Sequence, residues 1–539
     1  MVNKPFFSWL LYQAPFRFLR GMLLSVYLLL VAGPLLAVIV GSLSSYDSGW
    51  QQELMSLFSA RRLGLLWNSL ALAGVVSVAG MTIGFLLGLF LWTHPGRLSR
   101  LLYWILLTLF MLPPYLHALT WMTIFSGVSR LLPLASFSGF LTRGWFGVGW
   151  VQLIAWLPVA ALLTQVGLAQ VNPALWEAGR LSRGDGEVLR LVALPLAAPW
   201  LWVSGAIIFI FSFMDYSVPY LFDCNVYALE VFAGFSAHHQ PARALISALP
   251  LMFISLALVG SSVSRLRTAF VQSANYHQRF SVPIFWSSWL ARFQWAAVGV
   301  VITGLLAPVV SLAALTIRGP AAWMTLKSSA REIAFTFQLM LFAGLLCLLL
   351  AQVVADRLRQ PLSRSAFWWL VTLLPLAVPG SLFGIGHLLV WNRPLLSDIF
   401  SSGWGMLLAH VGRFAPLAAL MLLSASHRQD AFLFEAAQVF QRNSLHGWRR
   451  VHAPLKSPTW LAAACFVAIL SASELAASLM VVPPGFATLT LRIYNYLHYG
   501  SPQAVAALSL MLLLLGLGAS GLVNRLLTAR SAQGTGVEP

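Results

Sequence analysis

About a dozen apolar runs, each roughly 20 residues long and separated by short polar segments, make up most of this chain of 539 residues. A run of that length crosses the hydrocarbon core of a bilayer as one helix. In lipid every backbone N–H and C=O must be satisfied inside the protein, which leaves helices or a closed barrel. Barrel strands alternate apolar and polar with a period of two. These runs are continuous, so they are helices. Hydrophobic residues form 59% of the chain and charged residues 9%, against roughly 25% charge in an ordinary soluble domain. So small a polar supply cannot cover a water-facing surface. The expected fold is an all-α polytopic membrane protein of about 12 transmembrane helices.

The spans fall at about 19–41, 64–92, 101–126, 147–169, 199–222 and 245–263, then at about 294–316, 333–355, 367–391, 404–425, 458–482 and 503–524. A polar stretch, Ser264 to Arg292, separates the two sets. Leu19 to Val40 is long enough to remain as an anchor and lacks a small-residue cleavage site. With the N-terminus in the cytoplasm, 22 of the 33 Lys and Arg residues lie on that side, ten lie opposite, and Arg413 sits inside a span. That bias predicts cytoplasmic N- and C-termini. Six spans per half return the chain to the same side, so the halves are expected to be parallel repeats.

The net charge of +18 is spread over short loops, as membrane orientation requires, and is no signal for nucleic acid. Cys224, Cys347 and Cys465 are far apart and form no disulfide framework. His, Cys, Asp and Glu never cluster at chelating spacing, so no metal or other cofactor is expected.

The duplication is written in motifs. Glu177-Ala178-Gly179 opens a polar loop that ends at Leu194-Pro195, and Glu435-Ala436-Ala437 opens one that ends at Ala453-Pro454. The Glu-to-Pro distances are 18 and 19 residues. Earlier in each half a span contains prolines, Pro113 and Pro114 or Pro375 and Pro379, and the next holds one mid-helix, Pro158 or Pro416. After each loop an acid lies inside the following span, Asp215 or Glu474, at 38 and 39 residues from the loop Glu. The same one-residue offset marks them as equivalent positions. Each loop reads as a short helix, a turn and a second amphipathic stretch, with small residues after the Glu that let another surface approach.

These two loops resemble the Glu-Ala-Ala loop of type I ABC importer permeases, the inner-membrane components of binding-protein-dependent transport systems. The matching residues are Glu177, Ala178, Gly184, Leu194 and Pro195 in the first loop, and Glu435, Ala436, Ala437, Pro454 and Leu455 in the second. The resemblance covers nearly the whole chain. Residues 60–263 and 330–525 each look like one permease domain, flanked by an N-terminal segment with the first helix (1–59), a cytoplasmic linker with the seventh helix (264–329) and a cytoplasmic tail (526–539). Fused two-domain chains of this length look most like the ferric-iron group, with thiamine and polyamine permeases as relatives. Gly179 departs from the family's second Ala, Gly184 or Gly186 must serve as the turn glycine, and Gln441 stands where the second loop's glycine is expected. Unequal docking points follow from that reading.

The resemblance implies a permease subunit in a bacterial inner membrane, working by alternating access. Two copies of a separate cytoplasmic ATPase would dock at the loops, and an extracytoplasmic solute-binding protein would deliver substrate. The chain's three lysines, Lys4, Lys327 and Lys456, stand outside any phosphate-binding Gly-x-x-x-x-Gly-Lys loop, so ATP belongs to the partner and the chain itself is not an enzyme. Asp223, Asn225, His238 and His239 are candidates for docking the binding protein. Ionisable residues inside spans are costly and default to functional hypotheses. Asp215, Glu474 and Arg413 are therefore the pathway candidates, whereas His117 and His387 read as satisfied core residues. A rival class, an ion-coupled secondary transporter using Asp215 and Glu474, would have no need of matched loops. The substrate is expected to be ferric iron or a small organic solute.

Overall fold

The computed structural model describes residues 14–44, 49–94, 96–131, 141–238, 240–272, 286–317, 321–427 and 447–534, together with position 439. Among these residues there are helices and no strands. The first half contains α1 (Ala14–Val31), α2 (Gly33–Ser44), α3 (Ala60–Thr93), α4 (Arg97–Met111), α5 (Pro114–Leu131), α6 (Trp145–Leu168), α7 (Pro173–Arg180), α8 (Leu194–Met214), α9 (Ser217–Leu221), α10 (Tyr227–His238) and α11 (Pro241–Gln272). The second contains α12 (Ser288–Ile317), α13 (Ala330–Leu358), α14 (Leu362–Leu373), α15 (Gly380–Trp391), α16 (Trp404–His427), α17 (Ala453–Ser473), α18 (Ala476–Val481), α19 (Leu489–His498) and α20 (Pro502–Gly534). The repeat is visible in element lengths. Helices α6 and α16 are both 24 residues, and α8 and α17 are both 21. Each of α8 and α17 follows a five-residue π-helical segment, Leu189–Ala193 or Trp448–His452.

Among the described residues nine helices are long and apolar enough to span a bilayer, or up to 12 if each bent pair counts as one span. The bent pairs are where simple spans are expected from sequence. The α1–α2 pair bends by 50°, and two pairs break more sharply, α4–α5 by 100° and α14–α15 by 111°. Proline causes both breaks: Pro113 and Pro114 interrupt the first, and Val378 before Pro379 is extended at φ −117°, ψ 129°. Two other expected spans stop early, α8 at Met214 and α17 at Ser473. In the opposite sense, α11 continues to Gln272, beyond the expected end of its span.

Each half is organised round three mutually packed helices, α3, α6 and α8 in the first and α13, α16 and α17 in the second. Small residues allow the close approach that membrane helix packing relies on. A Cβ on Gly84 of α3 would overlap the Cβ of Ala160 on α6. The leading helices cross over. Helix α1 packs against α13 and α16, and α2 against α15, while α12 packs against α3, α4 and α5. One apolar cluster accordingly joins Leu35 and Val38 of α2 to Leu382, Phe383 and Ile385 of α15.

Candidate functional site

A cavity of about 990 Å³ lies between the halves. The first half contributes Pro113, Pro114, Trp156 and Asp215, and the second contributes Pro379, Gly380, Arg413 and Glu474. The broken spans and the three ionisable residues singled out by sequence therefore meet at one place. The lining continues to Leu266, Phe270, Leu455 and Thr459, near the helix ends that carry the loops.

Asp215 and Glu474 occupy the same structural position, the break after α8 or α17. Asp215 is extended, at φ −80°, ψ 121°. Its Oδ1 accepts from the Ser217 N–H at 2.8 Å and the Ser217 hydroxyl at 2.7 Å, which caps α9. Glu474 Oε1 accepts from the Ala477 N–H at 2.9 Å and so caps α18. A helix start inside a membrane has no water for its orphan N–H groups, and an acid side chain is the strong substitute.

Polar residues behind the acids also repeat. The Gln152 amide donates to Asp215 Oδ2 at 3.0 Å and accepts from the Ser212 hydroxyl at 2.6 Å. In the second half His410 lies between Ser471 and Ser478, with its Nδ1 and Nε2 at 2.7 and 2.8 Å from their hydroxyl oxygens. The Ser478 hydroxyl already donates to the Glu474 carbonyl at 2.9 Å. His410 Nε2 therefore donates to Ser478. The sequence reading does not single out Gln152 or His410. The available signal is that each stands the same distance before a mid-span proline, Pro158 or Pro416. Gln152→Leu is expected to lower stability by about 1–3 kcal/mol, because it strips a donor from a buried carboxylate. Gln152→His, which copies the second half, should lose less. Thermal unfolding in detergent measures both.

Arg413 is where the halves differ. Its Nε lies 3.2 Å from Glu474 Oε2. Its guanidinium rests against Gly380 at the start of α15, where a Cβ would collide with Nη1. His117 and His387 are buried. His117 Nε2 lies 3.2 Å from the Leu109 carbonyl, and His387 Nδ1 accepts from Trp391 Nε1 at 3.0 Å.

On the first loop, Asn172 caps α7 by accepting from the Ala174 N–H at 2.9 Å, and Pro173 supplies the first turn. Trp176 is fully buried and makes edge contacts with Trp92 at 5.3 Å and Trp286 at 6.1 Å. Glu177 and Ala178 face outward beside exposed Leu175 and Leu181. Gly179 has a packing reason of its own: a Cβ there would stand 3.0 Å from both methyls of Val188. An Arg180–Asp185 ion pair at 2.8 Å closes the turn.

The expected role for a turn glycine is not met in the backbone. Gly184 has φ −73°, ψ 159°, a conformation open to any residue, and Gly186 likewise is not in the left-handed region. From Leu189 the chain runs through the π segment into α8, with Pro195 in its first turn. In the second loop Glu435, Ala436, Ala437 and Gln441 lie outside the described residues; Pro454 lies in the first turn of α17. Of the binding-protein candidates, Asp223 is left-handed at φ 57° and pairs with Arg143 at 3.5 Å, Asn225 is exposed, and His239 lies outside the described residues.

Two sets of membrane-length helices enclose a shared cavity, the architecture of a polytopic membrane protein. No family model matches the chain. It is 23% identical over 490 residues to a Haemophilus influenzae protein named as a ferric transport system permease, FbpB 1, covering 83% of this chain and 75% of that one. It is 21% identical over 520 residues to the ferric transport system permease protein FbpB of Actinobacillus pleuropneumoniae, covering 90% and 74%. A Salmonella typhimurium chain named as a 2-aminoethylphosphonate transport system permease, PhnV, is 29% identical over 171 residues, covering 32% of this chain and 64% of that one. The chain is thus similar, over most of its length, to the fused two-domain ABC permeases of this group, and it is a multi-pass membrane permease.

Proposed function

We propose that this chain is the transmembrane subunit of an ATP-driven importer in a bacterial inner membrane. Its two halves form the substrate pathway, which opens to each side in turn. Two cytoplasmic ATPase subunits drive the cycle through the loops at Glu177 and Glu435, and an extracytoplasmic solute-binding protein delivers the substrate. The chain has no catalytic residues, and ATP is bound by the partner subunits. Both termini are cytoplasmic. The observation that carries this reading is the cavity between the halves, walled by equivalent elements of each and reaching towards the loop-bearing helix ends.

The mechanical route is short. Asp185–Met214 forms one continuous helical span, so the first loop and the residue before Asp215 are two ends of a single lever. A partner that draws α7 sideways tilts α8 and with it the wall of the cavity. Rigid-body movement of this kind suits packed helices, which shift as units more readily than they deform. By likeness to the relatives, the solute is ferric iron or a small organic molecule such as a phosphonate.

Reconstitution in proteoliposomes with the ATPase and the binding protein tests the reading. Uptake is expected only with ATP, and Glu435→Arg should abolish it. Uptake that survives either change would instead mark an ion-coupled transporter. Asp215 already accepts hydrogen bonds from Gln152 and Ser217, which gives it a structural role without ion coupling.

A further inference from the structure

Away from the cavity, α8 and α11 share a polar corner. Helix α11 turns Val259, Leu266 and Phe270 to the cavity, while Ser261, Arg265 and Thr268 are exposed on its other side. Trp202 of α8 is 41% exposed, and its Nε1 donates to the Ser262 hydroxyl of α11 at 3.1 Å. The Arg265 guanidinium lies over the Trp202 ring, 4.4 Å from its centroid, in a cation–π contact. Arg265 Nη1 donates to the Ser261 carbonyl at 2.8 Å. Among the described residues Arg265 forms no ion pair, so the rest of its exposed guanidinium edge is open to a ligand.

The side chain runs against the usual direction. Arginine near the end of a membrane helix ordinarily stretches its head towards water. Helix α11 ends at Gln272 and leads into the polar stretch that separates the halves, so water lies beyond its C-terminal end. The bond to Ser261 instead draws the guanidinium about one turn back, towards the apolar run. Neither helix supplies a counter-charge: no Asp or Glu occurs between Leu194 and Met214 or between Pro241 and Gln272, and Arg267 adds a second cation. Packing of the fold does not require the pair either. The offset that relates Asp215 to Glu474 places Leu461 where the first half has Trp202.

We propose that Arg265 and Trp202 form a binding site for the headgroup of an anionic phospholipid, in the leaflet on the loop-bearing side of the membrane. The planar guanidinium suits a phosphate, and the Ser261 hydroxyl lies on the same exposed face. Leu258 and Ile254, at i−7 and i−11 from Arg265 and half-buried, continue that face into the bilayer and receive the acyl chains. A zwitterionic lipid offers the same phosphate with an ammonium group beside it, which Arg265 and Arg267 repel. The site needs only a chain that spans the membrane and is independent of the transport reading.

The test titrates the purified full chain in neutral detergent with phosphatidylglycerol, and separately with phosphatidylcholine, and counts bound lipid by native mass spectrometry. The first phosphatidylglycerol is expected to bind more tightly than phosphatidylcholine. Arg265→Gln should weaken it about fivefold or more, and Arg265→Lys should keep part of it. Trp202→Leu, which removes no charge and copies the second half, should weaken it as well. Arg100→Gln, at another exposed position, should leave it unchanged. Size-exclusion profiles identify any variant that fails to fold; if Arg265→Gln does, Trp202→Leu serves alone, and the reverse. Unchanged affinity in a folded Arg265→Gln or Trp202→Leu variant would overturn the proposal. So would an equal loss in Arg100→Gln, which reduces the effect to net charge, or phosphatidylcholine bound as tightly as phosphatidylglycerol. Displacement of the lipid by excess inorganic phosphate would also overturn it, by marking a site for a soluble anion.

Discussion

Gly386→Val is expected to strip the leading helices from the second half and to leave little folded protein. Gly386 lies on α15 where it faces α2, and a Cβ there would overlap the backbone carbonyl of Pro34. The obstacle is main chain on main chain, so no side-chain rotation relieves it. Overpacking in a close-packed interior costs typically 1–3 kcal/mol, and a clash against backbone lies at about the upper end of that range or beyond it. The consequence spreads because α2 is part of the crossover. It joins the first half's chain to the cluster containing Leu382, Phe383 and Ile385. Gly412→Val should behave in the same way, since a Cβ there would overlap the Leu30 carbonyl of α1. Gly74→Val, on α3 with nothing within 4 Å of its Cβ position, is the control and should be tolerated. Fluorescence-detected size-exclusion after heating ranks the three. Equal stability for Gly386→Val and Gly74→Val would show that α2 does not depend on this contact.

Hydropathy reports how long a run is and how apolar, so the helical class, the repeat and the equivalence of Asp215 with Glu474 were legible in the sequence. It does not report direction. The 111° turn at Pro379 and the 100° turn at Pro113–Pro114 leave the apolar run uninterrupted, and only the prolines hint at them. The capping role of the acids was harder to see. A carboxylate in an apolar run looks like a pathway charge, and its partners, Ser217 and Ala477, are backbone donors created by the break itself. The crossover of α1, α2 and α12 depends on small-residue contacts such as Gly412 against Leu30, between segments far apart in sequence. Arg413 was legible as a pathway candidate, but its contact with Gly380 was not, because the two are distant in the chain.

Trp176→Ala is expected to uncouple the loop from the membrane helices while leaving those helices intact. Replacing a large buried aromatic by alanine costs about 3–5 kcal/mol. Here the cost falls on a small unit: Trp176 anchors α7 through Trp92 and Trp286 and packs with Val188 and Leu189, away from α13, α16 and α17. ATP-driven uptake should fall at least tenfold, which corresponds to about 1.4 kcal/mol of lost coupling, whereas the size-exclusion profile of the purified chain should be unchanged. Trp176→Phe should retain part of the activity. The same geometry bears on whether the two loops count equally. The absence of a glycine at Gln441 implied a weaker second docking point, but Gly184, its nearest counterpart, holds φ −73° and makes no demand that only glycine meets. Equal losses of uptake are therefore expected from Glu177→Ala and Glu435→Ala. A loss confined to one of them would mean that the asymmetry lies in what each loop presents to its ATPase and not in how its turn is made.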